Sequence, residues 1–405
     1  DRGGGQGAGP EGGQVRHIAR RHLRGRRGHP RDHEGRHEGG VHPLLARKVT
    51  IEIDGSILEG GGQLLRTAVA YSVVSSVPIR VVNIRAKRPN PGLRPQHLST
   101  VKVMARLSDA RLRGLKLGSR TLDFNPRLIR GGRLYADIGT AGSIGLLLQS
   151  LAPAASFAPE PVSAELRGGT SVKWAVPALA LKRVIWPILG KFGFRGRMTI
   201  VREGFYPRGG GIVEVSIKPV RALRAIRLTD QGSVEVIRGI SICGRLPPHV
   251  AKRQARAAEG VLRKAGYDDL DIRAEHLDRE RAPLSPGSLI VLWAETSSGC
   301  LIEADGLGER GKPAEAVGSE AARRLVNQLE TGAAVDLHTA DNLIVWASLA
   351  DGTTQLSVSR LTLHTLTAIE LAKTIVGAEL QVEGRLNERA TIVCRGIGLR
   401  NRYLA

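Results

Sequence analysis

The feature that most constrains the fold of this chain is an internal repeat. From Val49 onward the same order of segments occurs three times: a turn of small residues leads into an apolar helix, and the chain returns as a strand. A second helix and two further strands follow, so each unit reads β-α-β-α-β-β. Such units bury their helix faces only when they stack, which predicts an α/β (α+β) fold with three repeats in one large domain. The first-helix segments lie at 60–74, 139–155 and 339–349, and the second-helix segments at 95–109, 176–193 and 363–377.

The spacing of the repeats also predicts an insertion. First helices begin near Gln63, Ser143 and Asp341, so the second interval is more than twice as long as the first. The extra length predicts a smaller α/β domain at 222–331, between the closing strands of unit two and the start of unit three. The large domain then comprises 48–221 and 332–405. Within the insertion the sequence predicts strands at 234–245 and 288–296 and helices at 248–266 and 313–330.

The first 47 residues differ in composition from the rest of the chain. They hold six of the eleven histidines, many Gly and Arg, and very few apolar residues. A segment of this kind cannot bury enough apolar surface to offset the entropy of ordering. We therefore expect residues 1–47 to be a disordered basic extension, either an upstream addition or the product of a wrongly assigned start. A histidine-rich metal-binding tract is the alternative.

The charge of the chain points to a polyanionic partner. Lys and Arg total 60 against 38 Asp and Glu, which gives a net charge of +22, and such a field favours nucleic acid. A generally arginine-rich composition is the alternative explanation. Aromatic residues make up only 3% of the chain, which argues against an extended base-stacking surface. If RNA binds, its phosphates should supply most contacts.

The composition also excludes several classes of protein. No uncharged apolar stretch reaches the length of a transmembrane helix, so we expect no membrane partner. The three cysteines are far apart and odd in number, which argues against a disulfide framework and against a cysteine-based zinc site. We expect a cytoplasmic protein, since this cysteine usage suits a reducing compartment. The sequence does not determine the oligomeric state.

The first candidate site is the glycine turn at 60–62 before the first helix. Consecutive glycines at a helix N-terminus expose backbone N–H groups that suit a phosphate. Glu59 before the turn is a candidate metal ligand, and Gln63 and Arg66 on the helix are candidate contacts to an oxyanion. A tight turn with a surface arginine is the equally weighted alternative.

A basic loop provides the second candidate site. It contains Arg85 and Arg88 and leads into a helix start with Gln96 and His97, a set that suits a terminal phosphate or an RNA backbone. The alternative is a solvated charged loop. Two other glycine turns, at 139–143 before Gln149 and at 204–211, are more typical of caps and hairpins. The segment 306–312 resembles the start of a P-loop, but proline follows where Ser or Thr is needed.

Three histidines outside the extension are candidate catalytic groups. His364 and His97 stand at matching helix starts of units three and one, and His338 precedes Asp341. A helix N-terminus disfavours the imidazolium form, so such a histidine stays neutral near pH 7 and is available as a nucleophile or base. A structural role at the helix start is the alternative for each. The signature of lysine-dependent nucleotidyl transferases is absent, so a histidine is the better candidate carrier of a covalent nucleotide.

Taken together, five segments resemble the ATP-dependent RNA 3′-terminal phosphate cyclases. They read EGGGQLLR, IRAKRPNPGLRPQHL, GTAGSIGLLLQ, GFYPRGGG and LTLHTLTAI, and they occur in the family's order between residues 50 and 400. The resemblance implies the fold described above. It also implies a ligase that adenylates its own histidine with ATP and passes AMP to an RNA 3′-phosphate. The product is a 2′,3′-cyclic phosphate, with pyrophosphate and AMP released.

The resemblance also assigns roles to residues. It places the nucleophile at His364 and the ligand for Mg²⁺ or Mn²⁺ at Glu59. It places nucleotide and phosphate contacts at Gln63, Arg66, Arg85, Arg88, Gln96, His97, Gln149, Asp341 and Asn342.

Some positions depart from the family pattern. Asn342 replaces a glutamine, Leu179 replaces an acidic residue, and Leu301 or Ile302 stands where some members carry an aromatic residue facing adenine. A non-catalytic relative that acts in ribosome assembly is the alternative function, and His364 is the residue that favours the enzyme. An enolpyruvyl transferase, built from similar repeats, is a weaker alternative.

Overall fold

The computed structural model describes residues 49–404, and the predicted extension at 1–47 lies outside them. The described residues form four four-stranded sheets with helices packed against them. In this part of the chain no helix combines the length and the apolar composition needed to cross a membrane. All three cysteines are buried and none is in a disulfide.

Units one and two have the predicted element order. Unit one contains β1 Ile51–Asp54, α1 Gly62–Ser75, β2 Ile79–Val82, α2 Pro95–Ser108, β3 Arg111–Arg113 and β4 Leu122–Asn125. Unit two contains β5 Gly132–Asp137, α3 Ile144–Ser156, β6 Val162–Gly168, α4 Ala178–Ala180, α5 Trp186–Lys191, β7 Arg195–Arg202 and β8 Gly211–Lys218. A π-helical turn, Leu181–Ile185, joins α4 to α5. The sheets have the equivalent orders β1-β2-β4-β3 and β5-β6-β8-β7, each with one parallel pair.

Unit three is interrupted rather than preceded by the extra segment. Its sheet has the order β15-β16-β14-β9, and the edge strand β9 Arg227–Leu228 pairs in parallel with β14. The predicted insertion 222–331 therefore includes Arg227–Leu228, a short strand that pairs within the sheet of unit three. Two residues are too short to produce a sequence pattern. The remaining elements are α8 Leu337–Leu349, β14 Thr353–Val358, α9 Leu363–Leu371 with a π-helical turn Ala372–Val376, β15 Glu379–Gly384 and β16 Ala390–Arg395.

The inserted segment forms the fourth sheet and two long helices. Its elements are β10 Val234–Gly244, α6 His249–Lys264, β11 Leu270–Leu277, β12 Gly287–Thr296, β13 Leu301–Leu307 and α7 Ala314–Leu329. The sheet order is β11-β10-β12-β13. The two predicted helices and two predicted strands are confirmed, whereas β11 and β13 were not predicted.

Strand β12 of the inserted sheet is buried on both faces. Ile290 and Leu292 of β12 pack with α6 and α7 in a second apolar cluster, while Val291 and Trp293 of the same strand join the core of the repeats. This alternation follows from the two-residue period of a strand. The division of the chain into a large and a small domain stays a prediction, since one face of the insertion belongs to the common core.

Helix α1 lies at the centre of the large core. Every residue from Gln63 to Ser75 is buried, and the helix packs against α2, α3 and α9. A helix surrounded on all sides carries apolar residues all round, as α1 does after its first turn. The polar residues Gln63 and Arg66 of that first turn are thereby held between units one and three.

Candidate active site

A cleft of about 570 Å³ lies where the three repeats meet the insertion. Unit one contributes Gln63 and Arg66, and unit three contributes His338, Asp341 and His364. Unit two contributes Gln149 and the loop 172–176, and the insertion supplies charged residues from 305–324. Six candidate residues selected from the sequence therefore share one cleft: Gln63, Arg66, Gln149, His338, Asp341 and His364.

His364 is oriented by a chain of polar groups. Thr362 caps the N-terminus of α9 by accepting a hydrogen bond from the backbone of Thr365 at 3.1 Å, which places His364 in the first turn. Nδ1 of His364 contacts Oε1 of Gln63. Nε2 of Gln63 donates to Oδ2 of Asp341 at 2.9 Å. Since an amide oxygen only accepts, Nδ1 carries the proton and Nε2 keeps the lone pair of a neutral imidazole.

The electrostatic environment keeps His364 neutral. Its side chain is solvent-accessible, yet the surrounding protein removes water from the ring and lowers its pKa below 6.5. Asp341 acts in the opposite direction and raises this pKa, while Arg66 and Arg88 lower it further. The predicted neutral state is therefore supported, but removal of water around the ring is its leading cause. A neutral ring with a free Nε2 is a competent nucleophile.

Arg66 is a buried cation that faces the cleft. Its side chain is 7% exposed, and its Nε has no hydrogen-bond partner in the described residues. Burial lowers its pKa to about 10, and Asp341 opposes that shift. The pKa of Asp341 is itself raised by burial. A guanidinium with an unpaired N–H in a cleft suits a phosphate oxygen.

The side chains of two further candidates, Glu59 and His97, pack against the backbone of the glycine turn. A Cβ at Gly61 would collide with the carboxylate of Glu59, and one at Gly62 with Nε2 of His97. A side chain at Gly61 or Gly62 would have to displace Glu59 or His97, so the two glycines let these side chains pack directly on the turn. Glu59 pairs through Oε1 with Arg88, while its buried Oε2 has no partner.

His97 is a buried neutral histidine rather than part of the cleft lining. Its Nδ1 accepts a hydrogen bond from the backbone N–H of Arg94 at 3.1 Å. Burial lowers its pKa to about 3, and Arg66, Arg85 and Arg94 add to the effect. His97 therefore packs against the glycine turn at Gly62, next to Arg66.

Three other candidates lie outside the cleft lining, as Glu59 and Arg88 do. Arg85 donates to the carbonyl oxygens of Asn90 and Gly92 at 2.6 and 3.0 Å, so it braces its own loop. Gln96 accepts from the backbone N–H of Ser143 at 3.4 Å and links units one and two.

Asn342 donates to the backbone of His338 at 2.8 Å and to Oδ1 of Asp341 at 3.1 Å. It lines a smaller cavity behind the cleft together with Gln149. These two bonds hold Asn342 against Asp341 and the first turn of α8.

No local sequence pattern predicted the residues on the far wall of the cleft. Lys173 and Trp174 of unit two and Lys312 and Arg324 of the insertion all line it. None belongs to a local motif with a chemical signature, so tertiary packing alone brings them there. Lys312 lies in the segment that superficially resembles a P-loop, and it pairs with Glu320 at 2.6 Å. Leu301 and Ile302 belong to β13 and do not line the cleft.

Within residues 49–404, no group of three or more His, Cys, Asp or Glu side chains is arranged to hold a metal ion. The unpartnered Oε2 of Glu59 offers one carboxylate oxygen. That suits an ion which keeps most of its ligands as water and substrate phosphate, as Mg²⁺ does.

Comparison with known proteins gives a consistent result. A family model described as RNA 3′-terminal phosphate cyclase matches residues 57–382. A protein of that name from Ignicoccus hospitalis is 47% identical over 349 residues, covering 86% of this chain and 99% of its own. One from Hyperthermus butylicus is 48% identical over 353 residues, covering 86% and 98%. A solved enolpyruvyl transferase, NikO from Streptomyces tendae, aligns over 87% of this chain and 50% of its own at 12% identity. Its TM-score of 0.38 is too low to show a shared fold.

Proposed function

Because this chain belongs to the RNA 3′-terminal phosphate cyclase family and is an enzyme of that class, we propose that it uses ATP to convert an RNA 3′-phosphate to a 2′,3′-cyclic phosphate through a histidine–AMP intermediate. The arrangement of Asp341, Gln63 and His364 beside the buried Arg66 carries this proposal. It supplies a neutral nucleophile, a fixed tautomer and an anion site in one cleft. The cationic surface suits an RNA substrate.

In the first step Nε2 of His364 attacks the α-phosphorus of ATP. The N–P bond forms as the P–O bond to pyrophosphate breaks, and the imidazole ring becomes cationic because Nδ1 keeps its proton. Gln63 cannot accept that proton, so it transmits the field of Asp341 to the ring through two hydrogen bonds. Arg66 stabilises charge on the phosphoryl oxygens.

In the second step an oxygen of the RNA 3′-phosphate attacks the phosphorus of the bound AMP. The N–P bond breaks and His364 returns to the neutral form. A cationic ring leaves more readily than a neutral one, so the proton held on Nδ1 assists this step. In the third step the 2′-hydroxyl attacks the activated 3′-phosphorus, loses its proton to solvent, and expels AMP.

Glu59 is the proposed ligand for Mg²⁺ or Mn²⁺, because its buried Oε2 lacks a partner. The ion would neutralise charge on the pyrophosphate leaving group. Arg85, Arg88, Gln96, His97, Gln149 and Asn342 stay predicted contacts to nucleotide or phosphate. The geometry favours indirect roles for Arg85, His97 and Asn342, which bind protein atoms.

Two assays test the proposal. Incubation with α-labelled ATP and Mg²⁺ should yield a protein–AMP adduct that is labile to acid and stable to base, as a phosphoramidate is. A labelled oligonucleotide with a 3′-phosphate should become resistant to phosphatase, whereas one with a 3′-hydroxyl should not react. Equal use of both ends, or a product that stays sensitive to phosphatase, would refute the cyclase mechanism.

A further inference from the structure

Trp174 differs from every other tryptophan of the chain in its exposure. Its side chain is 94% exposed, whereas Trp186, Trp293 and Trp346 are at most 7% exposed. Burial of a large apolar ring stabilises a folded protein, so the folding of this chain alone does not explain why Trp174 stays in water. An indole held fully in solvent is therefore better explained by a ligand that covers it.

The backbone holds this ring in an unusual place. Trp174 has φ +62°, a left-handed conformation that bulky residues rarely adopt. The preceding Lys173 bridges to Glu309 of the insertion at 2.8 Å. On the other side, the backbone N–H of Ala178 donates to Thr170 at 2.8 Å. The loop is thus fixed at both ends, and strain of this kind is common where a side chain must be presented to a ligand.

The position of Trp174 is the second observation. It lies at the mouth of the cleft that holds His364, and facing it the insertion contributes Lys312 and Arg324. Apart from the histidines, it is the only aromatic side chain among the described residues that line this cleft. Among the residues that line this cleft, Trp174 therefore presents the largest aromatic face to a nucleobase.

We infer that Trp174 is the stacking surface for a nucleobase bound at the mouth of the catalytic cleft. This inference rests on the proposed function, which brings two nucleobases to the cleft: the adenine of ATP and the base of the terminal RNA nucleotide. Both present the same flat π-face, which an indole recognises with little sequence preference. One aromatic ring is enough for one base, in keeping with the low aromatic content of the chain.

Binding is measured first, with two matched pairs of probes. The ATP pair is α,β-methylene-ATP and methyl triphosphate, which lacks the base. The RNA pair is an oligonucleotide with a 3′-phosphate and the same strand with an abasic terminal nucleotide. We expect either the ATP analogue or the RNA with its terminal base to quench the fluorescence of the Trp174 indole and to protect that indole from quenching by iodide. The affinity of that probe should fall about tenfold in Trp174→Ala and recover in Trp174→Phe, while its baseless partner binds all three proteins equally.

The controls separate this inference from the proposed mechanism. Tyr135 is an exposed aromatic residue on the sheet of unit two, outside the cleft. The variant Tyr135→Ala should therefore bind all four probes with the affinity of wild type. Loss in the ATP arm identifies adenine as the base, and loss in the RNA arm identifies the terminal nucleotide. If neither arm responds to Trp174→Ala, the inference is wrong. If stacking is observed but wild type makes no phosphatase-resistant product, the cyclase mechanism fails and the stacking site stands.

Discussion

Oε1 of Gln63 contacts Nδ1 of His364, although 301 positions separate the two residues in the chain. Gln63 lies in the first turn of α1 in unit one, and His364 lies in the first turn of α9 in unit three. The same amide donates to Asp341, so one side chain fixes both the tautomer and the electrostatic environment of the histidine. This contact between units one and three therefore positions the histidine that we propose as the nucleophile.

Replacement of His364, the proposed nucleophile, should abolish the proposed protein–AMP adduct. In His364→Ala no atom with a lone pair remains at the position of Nε2, so labelled AMP should not attach to the protein. The fold should persist, because this side chain is solvent-accessible. Circular dichroism and thermal unfolding check the fold, and acid-quenched gels check the adduct. His338→Ala is the matched control, and undiminished adenylation in His364→Ala would move the nucleophile to His338.

Removal of the carboxylate behind Gln63 should shift the pH profile of adenylation. Asp341 raises the pKa of His364, so Asp341→Asn lowers that pKa further and keeps the ring neutral at lower pH. The acid limb of the pH–rate profile, where protonation of the ring slows adenylation, should therefore move to lower pH. The rate on the plateau should fall roughly 100-fold, because the cationic ring of the adduct loses its counter-charge.

Single-turnover adenylation from pH 5 to 8 measures both effects. As a control, Asp123→Asn removes a carboxylate from the sheet of unit one, outside the cleft, and should leave the position of the acid limb unchanged. An acid limb that moves upward in Asp341→Asn would contradict the assigned electrostatics.

His97 should make the protein sensitive to acid. Its pKa is about 3 in the folded chain and near 6.5 when unfolded, so the unfolded state binds more protons between these values. Stability is fully present above pH 6.5 and falls as the pH drops toward 3. The loss from pH 6.5 to pH 5 should be about 2 kcal/mol for this residue. Urea unfolding of wild type and His97→Asn at both pH values measures it, and an equal loss in both proteins would remove His97 as the cause.

Binding of RNA should weaken steeply as salt is added. The net charge of +22 predicts contacts to phosphates, and each contact releases counterions. We expect the affinity for a single-stranded oligonucleotide to fall about 100-fold between 50 and 200 mM salt. Fluorescence anisotropy measures the affinity, and an oligomer of the same length with an uncharged backbone is the control. A flat salt response, or strong preference for particular bases, would contradict phosphate-dominated binding.

Local patterns in the sequence determined the repeats and most of their elements. Apolar periodicity, small-residue turns and the spacing of the helix starts depend on neighbours within one segment, and such signals are readable without a structure. They located the helices of units one and two, two helices and two strands of the inserted segment, and the helix-start histidines. They did not reveal β9, because two residues produce no period, and its pairing with β14 depends on a strand far away in the chain.

Tertiary structure alone decided which of the selected side chains meet. The sequence offered Arg85, His97 and Gln149 on similar grounds. Packing placed Gln149 in the cleft, His97 beneath the glycine turn and Arg85 on its own loop. The sequence around Trp174 did not predict its place in the cleft, because a tryptophan in a loop has the same local pattern whether it is buried or exposed. Stacking of the repeats brings helix starts hundreds of residues apart into contact, and contacts of that range leave no trace in a local pattern.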